Sequence, residues 1–214
     1  MLTKEYTILE PFTRALWTPL TFRDVKELSC NKSDNYVHTT LKCFVKSGVL
    51  LERKVGNNIL YFVSNDSFAL NTIGYIAEFK AHECGHIPHK NMQKIMNKIK
   101  NAFYSFIITG SYATKTHKNT SDIDFVIICD DNQDPDGVLS QIMLESDLMT
   151  PQGHPYVFTQ SQLLGMLTSK EENYGKELTR NNQILTGAKQ YYFLLMEAIN
   201  HGFKGYDLFA ESSK

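Results

Sequence analysis

Hydrophobic residues in the first fifty positions recur at the three- and four-residue spacing that is typical of amphipathic helices. The spacing predicts helices over residues 4–16 and 21–29, and Pro19 ends the first of them. A third helix is predicted to begin after Ser33, a residue type that caps helices, and to end at Gly48. The apolar positions that share one face of this third helix are Val37, Leu41, Phe44 and Val45.

Two strand-like runs, LLERKV and ILYFV, follow the third helix, and the Gly-Asn-Asn segment between them is a hairpin signal. Three helices and a hairpin within residues 1–65 predict a winged helix-turn-helix domain whose partner is duplex DNA. In that fold the third helix enters the major groove and the hairpin lies along the DNA backbone. A winged helix used only for protein contacts or dimerisation is the alternative. The residues expected to reach bases or phosphates are Asn35, Tyr36, His38, Thr39, Lys42, Arg53 and Lys54.

The pattern after residue 65 predicts a connector followed by a second domain. Residues 66–90 are expected to form a connector helix and a loop, and residues 91–103 an amphipathic helix whose last inward-facing residue is Phe103. Further helices and short strands over residues 91–214 predict helices packed behind a small mixed sheet. The fold class expected for the whole chain is therefore α+β.

Composition narrows the class of protein. Of 214 residues, 42% are hydrophobic and 21% are charged, which suits a globular chain with a substantial core. No apolar run approaches the roughly 20 residues that span a bilayer, and the sequence MLTKEYTILE lacks the order of a signal peptide. We therefore expect a cytoplasmic protein without a membrane partner, in which the four scattered cysteines are reduced.

Charge is distributed unevenly along the chain. Residues 1–65 carry nine Lys and Arg against six Asp and Glu, whereas residues 109–214 carry eight against fourteen. The excess of basic residues in the first part favours binding to nucleic acid, and the excess of acidic residues in the second part favours binding of metal ions.

The stretch between Ser105 and Asp130 carries the strongest chemical signal. An apolar strand is predicted to stop at Gly110-Ser111, where backbone N–H groups at the start of a helix or turn favour a phosphate. A spacer of ten residues separates Ser111 from Asp122-Ile123-Asp124, which opens a second apolar strand. Side chains alternate along a strand, so the two carboxylates share one face and can bind a hard cation.

This arrangement of Gly-Ser, a spacer of ten and Asp-Ile-Asp resembles the signature of the DNA polymerase β-type nucleotidyltransferase superfamily, especially its minimal and kanamycin-nucleotidyltransferase-like members. The resemblance implies that Gly110, Ser111 and Lys115 bind a nucleoside triphosphate. It also implies that Asp122 and Asp124 are catalytic and bind Mg²⁺, or Mn²⁺ in its place. In the family these ions carry the triphosphate and activate an acceptor hydroxyl for attack on the α-phosphorus.

The family uses a third acid on a neighbouring strand, and the predicted strand at residues 154–158 contains none. Glu145 or Asp147, just before that strand, could supply it if the strand begins earlier. Two functions therefore stay open. One is an enzyme that transfers an NMP to a hydroxyl; the other is a transcription regulator whose degenerate nucleotidyltransferase domain senses nucleotide or holds a homodimer.

The sequence His82-Glu83-Cys84-Gly85-His86 matches the H-E-x-x-H pattern of zinc peptidases. That chemistry needs both histidines on one helical face, and Gly85 and Pro88 weaken a helix here. The alternatives are a structural metal held by His82, Cys84, His86 or His89 and a solvated interdomain loop. We favour the loop.

Overall fold

The computed structural model describes residues 3–14 and 16–206. Residues 1–2 and 207–214, at the outer ends of the two predicted domains, lie outside the described residues. So does residue 15, which belongs to the first predicted helix.

The first third of the chain forms short helices and a three-stranded antiparallel sheet of order β1-β3-β2. Its elements are a 3₁₀ helix Lys4–Leu9, α1 Glu10–Arg14, β1 Leu20–Thr21, α2 Phe22–Leu28, α3 Asp34–Lys46, β2 Leu50–Val55 and β3 Asn58–Val63. Thr21 and Asp24 cap α2 reciprocally, and the Ser33 hydroxyl accepts a hydrogen bond from the backbone N–H of Tyr36 at the start of α3. The predicted second and third helices and the hairpin are confirmed as elements, while their assignment to a winged helix-turn-helix stays a prediction.

The rest of the chain forms a four-stranded sheet with helices around it. Its elements are α4 Ser67–Glu83, α5 His89–Met96, β4 Tyr104–Ile108, α6 Gly110–Ala113, β5 Ile123–Cys129, α7 Pro135–Leu148, β6 Gly153–Thr159, α8 Gln160–Thr168, α9 Tyr174–Arg180, β7 Gln183–Thr186 and α10 Ala188–Asn200. The strand order is β6-β5-β4-β7, with β5 and β6 parallel and the other pairs antiparallel. The predicted α+β class with a small mixed sheet is confirmed.

The end of β4 and the starts of β5, β6 and β7 lie together at one end of this sheet, which is called the sheet edge below. Ile108, at the end of β4, pairs with Phe125 near the start of β5 and with Gln183 at the start of β7. Ile123, at the start of β5, pairs with Gly153 at the start of β6. The loops that join this edge therefore lie side by side, and the Gly-Ser and Asp-Ile-Asp segments are both among them.

One hydrophobic core contains residues from both halves of the chain. Leu9 and Leu41 from the first third belong to the same buried cluster as Ile107 and Tyr191. The buried side of α4 packs on α1, α10 and β7, so α4 is part of this core as well as the link between the halves. A second cluster, on α5, α7 and the other face of the sheet, completes the packing. The predicted division at residues 65 and 90 stays a prediction.

The predicted helix over residues 91–103 is wrong at its C-terminal end. Helix α5 ends at Met96, and Asn97 is its C-cap. The Gln141 side chain then accepts the backbone N–H of Lys100 at 3.1 Å, which holds the following segment out of the helix. Phe103, predicted to face inward, is 64% exposed.

Within the described ranges, every helix is too short or too polar to cross a membrane.

A substitution at Gly187 tests how the start of α10 packs on β4. Gly187 has φ +76°, and a Cβ there would lie 2.3 Å from the Tyr104 carbonyl oxygen and 2.6 Å from Ser105 Cα. We expect Gly187→Ala to lower the free energy of unfolding by more than about 2 kcal/mol, because backbone atoms must move. Gly48 is the matched control: its φ is +78° but a Cβ there meets nothing within 4 Å, so Gly48→Ala should cost only about 1 kcal/mol. Urea denaturation measures both, and equal losses would contradict the packing described.

Candidate active site

The Gly110 backbone and the Asp124 side chain lie in direct contact at the edge where β4 ends. Gly110 has φ +63°, and a Cβ on it would lie 2.5 Å from Asp124 Oδ2. The adjacent Thr109 N–H donates to the Asp124 carbonyl oxygen at 2.9 Å, which ties the end of β4 to the start of β5. Glycine is therefore needed here both for the backbone angle and for the space that the carboxylate occupies.

The loop after Gly110 presents backbone groups and one lysine to solvent. Helix α6 has only four residues, so its N–H groups rather than a long helix dipole would attract a phosphate. The Thr114 N–H donates to Gly110 O and the Thr116 N–H to Ser111 O, which keeps the turn compact. Lys115 is exposed and has a left-handed backbone with φ +61°. The predicted nucleotide-binding residues thus lie in one turn.

The two predicted metal ligands differ in their surroundings. Asp122 is exposed and precedes β5, whereas the Asp124 side chain is 33% exposed. Burial raises the pKa of Asp124, and the negative charges of Asp122 and Glu177 raise that pKa further. His154 has the opposite effect on the Asp124 pKa, since a positive imidazole favours the carboxylate. The sheet edge therefore holds a group of acidic side chains with little positive charge to balance it.

The position beside Asp124 on the neighbouring strand is a histidine. His154 pairs with Asp124 in the parallel register of β5 and β6, and its Nδ1 lies 3.7 Å from Asp124 Oδ1. Strand β6 contains no Asp or Glu between its described ends, as the sequence predicts.

The suggestion that Glu145 or Asp147 supplies a third acid is wrong. Both residues lie in α7, which runs to Leu148, and β6 begins only at Gly153. Glu145 pairs with Lys98 at 3.1 Å, on the side of the sheet where α5 packs against α7. The alternative required β6 to begin soon after Glu145 and Asp147. Because β6 begins only at Gly153, both carboxylates stay on α7.

Sequence reasoning missed two residues of α9 that lie near Asp124. The charge of Glu177 raises the Asp124 pKa, and the charges of Asp124 and Glu177 in turn raise the pKa of Tyr174, after the larger effect of burial. Helical spacing places Tyr174 and Glu177 on one face of α9. No spacing relative to Asp122-Ile123-Asp124 could have identified them, because two helices and a strand intervene. The only signal was the excess of acidic residues in this half of the chain.

The donor set at this edge suits one Mg²⁺ shared with a nucleotide better than a metal site formed by protein alone. Among the described residues, no group of three or more His, Cys, Asp or Glu side chains is arranged to hold a metal ion. Mg²⁺ commonly binds one or two carboxylates and completes its shell with water and substrate phosphates. Asp122 and Asp124 fit that role, and a cation would favour the charged form of Asp124, whose pKa is raised first by burial and then by the charges of Asp122 and Glu177.

The histidines of the H-E-x-x-H match make hydrogen bonds with backbone carbonyl groups. His82 Nε2 lies 3.0 Å from Leu185 O, and His86 Nε2 lies 2.9 Å from Tyr112 O. The two histidines also occupy different elements, since α4 ends at Glu83. His86 stacks on His117, which stacks on Tyr112, so this segment packs against the Gly110 turn.

The residues predicted to contact DNA lie on the first third of the chain, and one of them differs from the rest. Tyr36 is half-buried: its hydroxyl group has no solvent contact, and Lys4 Nζ lies 4.9 Å from the ring centre. Tyr36 packs against the main hydrophobic cluster, so its hydroxyl group faces the core rather than solvent. The other predicted residues are exposed on α3 and β2: Asn35, His38, Thr39, Lys42, Arg53 and Lys54.

Comparison with protein families adds to this geometry. Residues 90–179 match the model of the nucleotidyltransferase domain family, and they contain the Gly110 turn, both aspartates, His154 and Glu177. Over this segment, which is less than half of the chain, the protein is similar to nucleotidyltransferase domains. No curated protein and no solved structure matches the chain significantly.

The raised pKa of Asp124 predicts a pH-dependent cost to folding. A carboxyl whose pKa is higher in the folded state costs nothing below its unfolded pKa. The cost grows as pH rises from the unfolded pKa to the folded pKa and stays constant above it. Asp124→Asn should therefore increase the free energy of unfolding at pH 7 more than at pH 3. Urea denaturation at both values measures this, with Asp147→Asn, an exposed carboxyl on α7, as the control. An equal effect of Asp124→Asn at both pH values would contradict the electrostatic description of the site.

Proposed function

We propose that this protein binds a nucleoside triphosphate together with Mg²⁺ and transfers its NMP part to a hydroxyl acceptor. The observation that carries the proposal is the contact of Gly110 with Asp124, which places a phosphate-binding turn beside a carboxylate in the segment that matches the nucleotidyltransferase domain. In this account the backbone of Gly110 and Ser111, with Lys115, binds the phosphates. Asp122 and Asp124 hold the cation, with Mn²⁺ as a substitute for Mg²⁺.

In the transfer, the acceptor oxygen forms a bond to the α-phosphorus and the bond from that phosphorus to the pyrophosphate group breaks. The bound cation supplies neutralisation of the phosphate charge. The hydroxyl proton must pass to a base, and the His154 imidazole lies beside Asp124 where it can accept that proton. Glu177 adds negative charge near Asp124. The roles of His154 and Glu177 are proposed from their positions near Asp124. In this account the two residues take the place of the third acid that β6 lacks.

Triphosphate binding should depend on both the cation and the two aspartates. In calorimetry, Mg²⁺ should strengthen ATP binding to the wild-type protein. The Asp122→Ala, Asp124→Ala double variant should bind Mg²⁺–ATP at least about tenfold more weakly. The reason is that mutation of a residue that only supports the ligands of a metal site already weakens metal binding by about that factor.

The matched control is Asp136→Ala, Asp147→Ala, which removes two negative charges from α7 outside the site. If the double variant at the site binds Mg²⁺–ATP as tightly as this control, the assignment of the aspartates is wrong.

A second function, duplex DNA binding by residues 1–65, is favoured by the exposed polar face of α3 and the cations on β2. Asn35, His38 and Lys42 are exposed on α3, and Arg53 and Lys54 are exposed on β2. Together with the triphosphate site this also supports the alternative of a transcription regulator that senses nucleotide, or that uses the nucleotidyltransferase domain to form a homodimer. Slow or undetectable transfer with intact nucleotide binding would favour that alternative.

DNA binding, if it occurs through this face, should weaken steeply as salt rises, because each phosphate contact releases counterions. Lys42→Ala or Arg53→Ala should each reduce the slope of log K against log salt by about one. A gel-shift or anisotropy titration over a salt series measures the slope. Lys94→Ala, an exposed cation on α5, is the control. A protein that binds no duplex at low salt would refute this second function.

A further inference from the structure

A polar cavity of about 500 Å³ adjoins the Gly110 turn and is not accounted for by the triphosphate site. One wall comes from Ala113, Thr114 and Lys115, at the end of α6, and another from residues 181–183, at the junction of α9 and β7. The remaining wall comes from α1 and α4, through residues such as Arg14 and Lys80. The segment that matches the nucleotidyltransferase domain, residues 90–179, therefore forms only part of this cavity.

The lining of the cavity favours an anion. Its charged residues are four cations, Arg14, Lys80, Lys115 and Arg180, and one acid, Glu10. Lys80 lies 3.4 Å from Glu10 and 3.7 Å from Glu83, and Arg180 lies 3.0 Å from Glu172, but all three pairs are partly exposed to solvent and therefore weak. Within the described part of the chain, Arg14 and Lys115 take part in no ion pair.

The uncharged part of the lining consists largely of groups that form hydrogen bonds. The lining includes three threonines and the amide residues Asn181, Asn182 and Gln183, around a space large enough for a molecule the size of a single nucleotide. The threonine hydroxyls and the Asn182 amide nitrogen already donate to backbone carbonyl groups, which leaves their oxygen atoms to accept hydrogen bonds. Ligand cavities are usually lined mainly by apolar side chains, and this one departs from that rule. Cations combined with amides and hydroxyls are suited to phosphate and to the hydroxyl groups of a small polar molecule.

We infer that this cavity binds the acceptor, and that the acceptor is a small molecule carrying both phosphate and hydroxyl groups. The inference rests on the proposed function, because it assigns the second substrate of the same reaction. Lys115 lies between the two sites, since it belongs to the turn proposed to bind the triphosphate and also lines the cavity. Arg14 and Lys80 bind the acceptor's phosphate from the wall that the family match does not cover.

The test separates the cavity from the triphosphate site. The protein is first saturated with Mg²⁺ and a non-hydrolysable ATP analogue, and AMP is then titrated as the phosphate- and hydroxyl-bearing probe. We expect saturable AMP binding that Arg14→Ala and Lys80→Ala each weaken by about tenfold, the loss expected for a hydrogen bond to a charged group. Lys94→Ala removes an exposed cation that does not line the cavity, and it should leave AMP binding unchanged. Thermal unfolding of each variant verifies that the fold is intact.

Three results would overturn the inference: no saturable AMP binding, AMP binding that is insensitive to both Arg14→Ala and Lys80→Ala, or displacement of the ATP analogue by AMP. The first two results leave Mg²⁺-dependent binding of the analogue unaffected, and the third still requires the analogue to bind before AMP is added. Loss of the proposed function would appear instead as failure of the analogue to bind in the first step, so the two failures are distinguishable.

Discussion

The contact between the Asp124 carboxylate and the Gly110 backbone sets the position of every other group at this end of the sheet. It leaves no room for a side chain at position 110, and the hydrogen bond from Thr109 N–H to Asp124 O holds the two strands together at the same point. Because β5 also pairs with β6, fixing Asp124 fixes His154 beside it. The arrangement costs stability, since a half-buried carboxylate with a raised pKa lies near two further acids. Groups with such perturbed pKa values are concentrated at functional sites, where their charge is needed by a ligand.

The first third of the chain contributes to the same core and to the same cavity as the segment that matches the nucleotidyltransferase domain. Leu9 and Leu41 pack in one cluster with Ile107, and α1 and α4 form a wall of the cavity beside Lys115. A ligand in that cavity would touch both parts of the chain at once.

Local sequence patterns predicted the elements whose structure depends on neighbouring residues. They failed where contacts between residues distant in sequence determine the structure. The Ser33 cap, the hairpin at Gly56 and the pairing of a glycine turn with Asp122-Ile123-Asp124 all follow from short-range sequence. The end of α5 depends on a contact with Gln141 and could not be read from the periodicity of residues 91–103. Glu177 reaches the vicinity of Asp124 only because α9 precedes a strand that pairs with β4, a topology that no motif encodes. The cavity was missed for the same reason, since its walls come from six separate parts of the sequence.

The central claim is that this sheet edge carries out nucleotidyl transfer. It is tested most directly by incubating the protein with an α-labelled triphosphate, Mg²⁺ and a cell extract that contains candidate acceptors, and by following label in the products. The account predicts label transfer that Asp124→Ala abolishes and that His154→Ala slows, with the His154 variant still binding Mg²⁺ and triphosphate. Absence of transfer by a wild-type protein that binds Mg²⁺–triphosphate, or transfer that survives Asp124→Ala, would contradict the account.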